Sequence, residues 1–381
     1  MATAEKKKSI ALPCTAMLMG GFCATSSGIV MNLLQQRYGF SYDFGGLLVA
    51  MLSVGHLTTS FLSGVLPGFV GRKTSALVLS TGLLLGYLLL AVCSQNWLMI
   101  LGFLLIGFGK GSTVNNCNVL TGERSANRTR GMNLLHACYA VGSLLGPIYI
   151  GFLGRANWWG MPLMGLGCCG MVAWCCFAFA GLPGKPKVRE KSTTDWSFLK
   201  TKSFWVLTAL LVCQNASEIA VTGWVVTYFQ NTGILSAQAS SLTVTVVWGA
   251  ILLARLYFVF IRPLKDPPKG LVVMGIGCVA GYALLLGAKS SLGALAALAL
   301  FGLFLAGVNP TAVSCAGKGL SNAGMGVMLP IAGIGAIAMP YIVGAVAEGF
   351  GIHTGMIAIM AANVGIVVFA VLYRKMLKKE Q

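Results

Sequence analysis

The sequence is poor in charge, and above all in negative charge. Only 9% of its 381 residues are charged, and Asp and Glu together number nine against 27 Lys and Arg. A soluble globular chain carries roughly 25% charged residues, so this chain lacks the side chains to cover itself with a hydrated surface. With 56% hydrophobic residues and a mean hydropathy of +0.81, it is predicted to cross a membrane several times.

The cysteine patterns typical of metal sites and disulfide frameworks are also missing. The chain has twelve cysteines but no CxxC pair and no Cys/His cluster, and nearly all of them lie inside apolar runs. Small, buried, apolar side chains are therefore the better interpretation, with no metal and no cofactor expected.

One stretch, "LIGFGKGSTVNNCN" at 105–118, has the look of a phosphate-binding loop but not its order. That loop needs Gly-Lys followed directly by Ser or Thr, whereas Lys110 is followed by Gly111. Because the stretch also continues an apolar run, nucleotide binding is not expected, and neither is an enzyme activity.

Long apolar runs separated by short polar segments predict an all-α integral membrane protein with twelve transmembrane helices. The predicted spans are 10–37, 44–70, 73–94, 97–121, 131–153, 158–183, 203–230, 236–262, 269–288, 291–318, 322–348 and 352–375. Each run is long enough to cross about 30 Å of hydrocarbon.

The positive charges predict the orientation. With the N-terminus inside, the cytoplasmic segments hold 22 of the Lys and Arg residues and the outer segments hold three. Positive charge concentrates on the cytoplasmic side, so both termini are predicted to be cytoplasmic in a multi-pass protein of the cell membrane. The same distribution argues against nucleic acid as a partner, since these charges face anionic lipid head groups.

The chain is predicted to divide into two bundles of six helices. A polar segment at 184–202 reads as a cytoplasmic linker between an N-terminal bundle at 1–183 and a C-terminal bundle at 203–381. A shift of 193 residues places "GSLLGP" (142–147) on "GAIAMP" (335–340), Asn116 on Asn309 and Arg72 on Lys265. Such a repeat indicates a duplicated six-helix unit.

Several motifs resemble those of the major facilitator superfamily. "GVLPGFVGRK" (64–73) is similar to the loop motif between its second and third helices, although Gly68 replaces the usual acid. Four further segments resemble the fucose/glucose–proton symporter branch: "NLLHACYAVGSLLGP" (133–147), "SEIAVTGWVVTYF" (217–229), "WGAILLARL" (248–256) and "GVNPTAVSCAG" (307–317). The resemblance implies two pseudo-symmetric bundles around a central cavity and transport by alternating access.

The resemblance is incomplete, and a second one points elsewhere. The acids that the symporter branch carries in helices one and four are absent here, the latter falling near Val114. "GSLLGP" followed by Gly151 is similar to the helix-five motif of drug–proton antiporters, although small residues and a proline there also suit close helix packing.

Charged side chains within the spans are candidates for function because they are costly in lipid. Lys110 shares a stripe of its helix with Thr113 and Asn116; either it contacts an anionic or hydroxyl-rich substrate, or it forms a buried ion pair. Glu218 lies near the centre of span seven, and it either carries a coupling proton or pairs permanently with Lys110 or Arg255.

Other polar side chains complete the predicted site. Arg255 favours a structural or gating role, His56 is either a packing residue or a proton-coupling residue, and His136 is a candidate for substrate or gate contact. The remaining candidates for substrate binding are Asn32, Gln36, Gln214, Asn215, Asn309, Trp224 and Tyr228. The two aromatic residues could stack on a sugar, close an outer gate or anchor the helix at the interface.

The sequence therefore predicts a secondary active transporter of a small polar organic solute, either a sugar, a sugar acid or a small carboxylate. Proton coupling and function as a monomer are expected. The alternatives are an efflux antiporter for drugs or metabolites and a membrane receptor without transport.

Overall fold

The structure is a computed structural model that describes residues 9–125, 128–153, 160–182, 197–258, 264, 266–317 and 322–380. Apart from a 3-10 turn at Ser197–Lys200, its regular elements are α-helices: α1 Ala11–Tyr38, α2 Tyr42–Val65, α3 Pro67–Val70, α4 Arg72–Val92, α5 Asn96–Arg124, α6 Arg128–Leu153, α7 Gly160–Phe179, α8 Lys202–Thr232, α9 Ala237–Ser241, α10 Thr243–Leu256, α11 Pro267–Leu286, α12 Ser291–Leu305, α13 Val308–Gly317, α14 Asn322–Phe350 and α15 Ile352–Glu380. Most of the predicted linker 184–202 lies outside the described residues.

The predicted membrane-spanning helices are confirmed. Within the described residues, eleven helical segments are long and apolar enough to cross a bilayer, and the shorter α10 occupies the remaining predicted span. Lipid offers no partner to a backbone N–H or C=O group, so the helix, which satisfies them internally, is the form that these runs adopt. The chain is an all-helical membrane protein.

Three predicted spans are interrupted. Span 44–70 contains α2 and α3, which meet at Leu66. Span 236–262 contains α9 and α10, which meet at Leu242, while span 291–318 contains α12 and α13, with a break at Ala306–Gly307. Pro310, in the first turn of α13, has no backbone N–H to donate to a preceding turn, which favours a helix start at this point.

The described residues group into two compact units. Unit 1 takes in those of 1–26, 54–149 and 153–190, and unit 2 those of 27–53, 150–152 and 191–381. The second half of α1 and the first half of α2 therefore pack with unit 2. The division into two covalently successive six-helix bundles stays a prediction.

Equivalent glycines mediate helix packing inside each unit. In unit 1, a β-carbon on Gly142 of α6 would overlap the backbone oxygen of Leu18 in α1. In unit 2, a β-carbon on Gly335 of α14 would overlap the backbone oxygen of Val212 in α8. Glycine lets two helix backbones approach closely, and here the two repeat-related positions serve the same contact.

Helix α8 is the central element of unit 2. It packs against α14 along one side and α15 along another, with α13 also in contact. Trp224, Tyr228 and Phe229 of α8 are fully buried, whereas large apolar side chains such as Leu292 and Phe350 are about four-fifths exposed. Exposed apolar surface of this kind suits contact with lipid chains.

The turn between α1 and α2 shapes one end of unit 2. Gly39 has a φ of 64°, a left-handed conformation that glycine adopts without a steric penalty. The chain reverses there, and α2 starts at Tyr42. The turn places the polar end of α1 beside the last turns of α8 and α14.

Candidate functional site

A chain of hydrogen bonds joins three polar side chains in the interior of unit 2. The Nδ2 group of Asn309 donates to Oε1 of Gln214 over 2.9 Å. The Nε2 group of Gln214 in turn donates to Oε2 of Glu218 over 2.6 Å. Gln214 is fully buried, and its two partners are half-buried. We call these residues the amide–carboxylate chain.

Local structure explains why these residues meet. Gln214 and Glu218 are four residues apart on α8, so their side chains lie on the same face one turn apart. The break before α13 brings Asn309 into the first turn of that helix, which packs against α8. A carboxylate oxygen and an amide carbonyl at the two ends of the chain can accept hydrogen bonds from a ligand.

Neighbouring polar residues of α8 point to other helices. Asn215 donates through Nδ2 to the backbone oxygen of Ala332 in α14 over 3.0 Å. The Ser217 hydroxyl donates to Oδ1 of Asn363 in α15 over 2.8 Å, and both of these side chains are fully buried. Asn215, a candidate for substrate binding, thus ties α8 to α14, and its proposed contact with substrate stays a prediction.

The polar residues of α5 belong to unit 1. Lys110 is half-buried and lies in the neighbourhood of the His56 imidazole of α2. A β-carbon on the adjacent Gly111 would lie 2.8 Å from the backbone oxygen of His56, so α2 and α5 cross closely at this point. His56 therefore lies at a helix crossing.

The side chains of the predicted stripe on α5 lie in different environments. Asn116 donates to the backbone oxygen of Ser112, one turn earlier, over 2.9 Å. The Thr113 side chain is fully buried, and its hydroxyl makes no hydrogen bond to any described residue. A buried hydroxyl without a hydrogen bond destabilises the fold, and a ligand or water molecule could provide the missing bond.

Asn32 and Gln36 lie at the end of unit 2 near the α1–α2 turn. Nδ2 of Asn32 donates to the Thr227 hydroxyl over 3.0 Å. Nε2 of Gln36 donates to Oδ1 of Asn32 over 3.0 Å and to Oε1 of Gln230. The structure thus links these two predicted site residues to the last turns of α8.

A cavity of about 560 Å³ opens beside these residues, and we call it the turn cavity. Its lining consists of Asn32, Gln35, Gln36, Gly39, Phe40, Ser41, Tyr42, Gln230, Asn231 and Glu348. The Tyr42 hydroxyl donates to Oδ1 of Asn231 over 2.8 Å, and the Tyr42 backbone N–H donates to Oε2 of Glu348 over 2.6 Å. Glu348, Gln230 and Asn231 were not among the predicted site residues.

The two predicted aromatic site residues are buried in unit 2. Nε1 of Trp224 donates to the backbone oxygen of Pro340 over 3.0 Å, and its side chain is fully enclosed. The Tyr228 hydroxyl lies 3.3 Å from Nδ1 of His353 in α15. Both residues hold helices together at the end of unit 2 that carries the turn cavity.

Two further candidates lie on α10 and α6. Arg255 is half-buried in the last turn of α10, in unit 2. His136 is an exposed residue of α6, in unit 1. Their proposed roles in gating and substrate contact stay predictions.

An ion pair that the sequence analysis missed lies at the start of α4. Nη1 of Arg72 is 2.8 Å from Oε1 and 3.1 Å from Oε2 of Glu123, at the end of α5. Gly68, which replaces the usual acid of the loop motif, has open space where a β-carbon would stand. In this chain Arg72 thus finds its carboxylate on α5. The antiparallel order of α4 and α5 could have suggested the pairing.

Residues 13–329 match the family model described as Major Facilitator Superfamily. Curated relatives match over shorter segments. "Uncharacterized transporter YycB" of Bacillus subtilis is 27% identical over 34% of this chain and 33% of its own length. "Tetracycline resistance protein, class E" of Escherichia coli is 28% identical over 29% of this chain and 28% of its own length. "Probable inositol transporter 3" of Arabidopsis thaliana is 32% identical over 22% of this chain and 15% of its own length. The chain thus aligns with a third or less of each relative.

Solved structures share the fold over nearly the whole chain. A mutant of the nucleoside transporter NupG superposes with a TM-score of 0.79 at 15% identity, covering 97% of this chain and 100% of that one. A bacterial homologue of the human lysosomal transporter Spinster, in an inward-facing and occupied conformation, superposes with a TM-score of 0.73 at 12% identity, covering 96% of each chain. This likeness shows the fold, and the family match over residues 13–329 shows that the chain belongs to the Major Facilitator Superfamily of transporters.

Proposed function

We propose that this chain is a secondary transporter that moves a small polar organic solute by alternating access, coupled to protons. The solute is a sugar, a sugar acid or a small carboxylate. The observation that carries the proposal is the amide–carboxylate chain, Asn309–Gln214–Glu218, held inside an apolar helical unit. Polar groups that are costly to bury in a membrane mark substrate and proton pathways.

The chemistry of the amide–carboxylate chain suits a hydroxyl-rich ligand. A hydroxyl group both donates and accepts hydrogen bonds, and amide and carboxylate side chains provide the matching acceptors and donors. Each protein–ligand hydrogen bond also replaces one that the solute made with water. The names of an inositol transporter and of a nucleoside transporter among the similar proteins agree with such a solute.

Protonation of Glu218 offers a route for coupling. While Glu218 is ionised, it accepts the N–H of Gln214, whose carbonyl accepts the N–H of Asn309. A protonated carboxyl oxygen would donate instead, so the Gln214 amide would turn over and Asn309 would have to present its carbonyl to Gln214. The group that Asn309 offers to a ligand would then change from acceptor to donor, which makes solute binding depend on the proton.

A second candidate is efflux of an amphipathic compound. The tetracycline resistance protein among the relatives and the "GSLLGP" segment of α6 favour it. The hydrogen-bonded polar side chains of α8 favour the first candidate, since an amphipathic compound is held mainly by apolar contacts.

Counterflow in proteoliposomes tests the proposal. Purified protein is assayed with D-glucose, D-glucuronate, L-lactate, uridine and tetracycline, and Asn309→Ala is the variant. We expect saturable counterflow of one of the polar solutes and a loss of at least about tenfold in Asn309→Ala, because each 1.4 kcal/mol of lost binding is a factor of ten. Exchange of tetracycline alone would support efflux, and exchange of none of the five would contradict the proposal.

If the transported solute is an acid, Lys110→Ala separates the two roles considered for Lys110. Substrate contact predicts a weaker affinity for the acid and an unchanged affinity for its neutral analogue. An equal effect on both would assign Lys110 to the structure of unit 1.

A further inference from the structure

We propose that the turn cavity is a second, peripheral binding site that takes neutral polyhydroxylated solutes and rejects anions. The inference rests on the neutral sugar among the solutes of the proposed function, and it concerns residues distinct from the amide–carboxylate chain. By the positive-inside rule, the α1–α2 turn lies on the outer face, so the site would meet the solute before the interior does.

The lining has the hydrogen-bonding capacity that a polyol needs. Five of the ten lining residues are amides: Asn32, Gln35, Gln36, Gln230 and Asn231. Tyr42 adds a hydroxyl group, and the rings of Phe40 and Tyr42 provide apolar surface for the C–H face of a sugar ring. At about 560 Å³ the cavity is within the range of small-molecule sites, roughly 300–1,000 Å³.

The charge of the lining disfavours anions. Glu348 is the one charged residue among the ten that line the cavity. Its Oε2 accepts the N–H of Tyr42, the first residue of α2, and a helix N-terminus stabilises an ionised carboxylate. A carboxylate ligand would face this charge at close range, and we expect its binding to be weaker by about fivefold or more than that of a neutral analogue.

The cavity is also built so that a polyol can replace existing bonds. Asn32 bonds Thr227, Gln36 bonds Gln230, and Tyr42 bonds Asn231, so three contacts join the α1–α2 segment to α8. A ligand hydroxyl that inserts between two such partners can accept from the donor and donate to the acceptor, so neither polar group is left without a bond. Occupancy would thereby loosen the α1–α2 turn from α8.

Thiol protection in purified protein tests the site. Ser41 is exposed and lines the cavity, so the variant Ser41→Cys places a thiol there. The rate at which maleimide labels this thiol is measured, and the labelling of the native cysteines in the wild type is subtracted. The probes are D-glucose, D-glucuronate and D-glucosamine, which differ mainly in charge. We expect D-glucose to slow labelling, and D-glucuronate to be at least about fivefold weaker as a protector.

Adding Glu348→Gln identifies the source of the selectivity. The amide oxygen of glutamine can still accept the Tyr42 N–H, so the packing is kept while the charge is removed. In Ser41→Cys/Glu348→Gln, D-glucuronate should protect as well as D-glucose. Lys289→Cys, exposed on the α11–α12 turn and not part of the lining, should label at the same rate with every sugar.

Three results would overturn the inference: no protection by D-glucose, equal protection by D-glucuronate before Glu348 is replaced, or protection by D-glucosamine alone. Failure here is distinguishable from failure of the proposed function. Counterflow without thiol protection would remove the peripheral site and leave transport intact, whereas protection without counterflow would do the opposite.

Discussion

At the scale of single residues, Gln214 connects the solute-binding and proton-binding groups of the proposed mechanism. It is fully buried, accepts from Asn309 and donates to Glu218, so it is the one side chain through which the other two communicate within the described contacts. It is a positioning residue for Glu218 as well as a candidate ligand for the solute.

We predict that Gln214→Leu uncouples solute movement from the proton gradient. Leucine fills a similar volume but can transmit no hydrogen bond, so protonation of Glu218 would no longer change what Asn309 presents. Counterflow at equal pH should persist with a weaker affinity for the solute, while accumulation driven by a pH gradient should fall by a further tenfold or more, about 1.4 kcal/mol of coupling. Unchanged accumulation in this variant would remove Gln214 from the coupling path.

The Ser217–Asn363 bond allows a prediction about stability alone. Both side chains are fully buried between α8 and α15. Hydrogen bonds between membrane helices contribute about 0.6 kcal/mol on average and roughly 1.7 kcal/mol at most. Ser217→Ala should therefore lower the free energy of unfolding by about 1 kcal/mol without altering solute selectivity.

Ser53→Ala is the matched control for Ser217→Ala. Ser53 is also buried, but its hydroxyl bonds the Val49 backbone oxygen within its own helix. Loss of the Ser53 hydroxyl should change the free energy of unfolding by less than loss of the Ser217 hydroxyl does. A larger effect at Ser53 than at Ser217 would mean that the bond between helices contributes nothing.

At the scale of elements, α2 and α14 meet through glycine. A β-carbon on Gly46 would lie 2.7 Å from the Pro340 backbone oxygen and 3.1 Å from the Tyr341 α-carbon. This contact holds the α1–α2 segment against α14 and so fixes the walls of the turn cavity.

Gly46→Val is predicted to separate α2 from α14. Overpacking of this kind costs about 1–3 kcal/mol, and backbone atoms on the partner helix have little freedom to move aside. The variant should be less thermally stable, and D-glucose should protect the Ser41→Cys thiol less. Gly64→Val, on the same helix with open space at its β-carbon, should behave as the wild type in both assays.

Helix positions could be predicted from the sequence because high hydropathy identifies the segments that lie in lipid. The predicted bounds of α1 and α8 differ from the structure by one or two residues. The breaks at Leu66, Leu242 and Ala306–Gly307 were missed, since apolar composition continues across them and carries no information on helix hydrogen-bond register.

The site could be predicted in part. The pair Gln214 and Glu218 follows from four-residue spacing on one helix, which the sequence contains. The partners of Asn32 and Gln36 could not be found in that way. They lie almost 200 residues further along the chain, and only the packing of α1 against α8 brings them together.

At the scale of the whole molecule, the orientation in the membrane stays a prediction from loop charge. Sealed cells and a membrane-impermeant maleimide test it with Ser41→Cys, Lys289→Cys and Lys73→Cys, three exposed positions. The first two should label from outside and the third only after permeabilisation. The reverse pattern would place both termini outside.

The central claim is that solute and proton meet at the amide–carboxylate chain, and one measurement tests it most directly. Accumulation of the solute identified by counterflow is followed in proteoliposomes under an inward proton gradient, for the wild type and Glu218→Gln. We predict accumulation in the wild type, and in Glu218→Gln counterflow without accumulation. Equal gradient-driven accumulation by both proteins would contradict the claim.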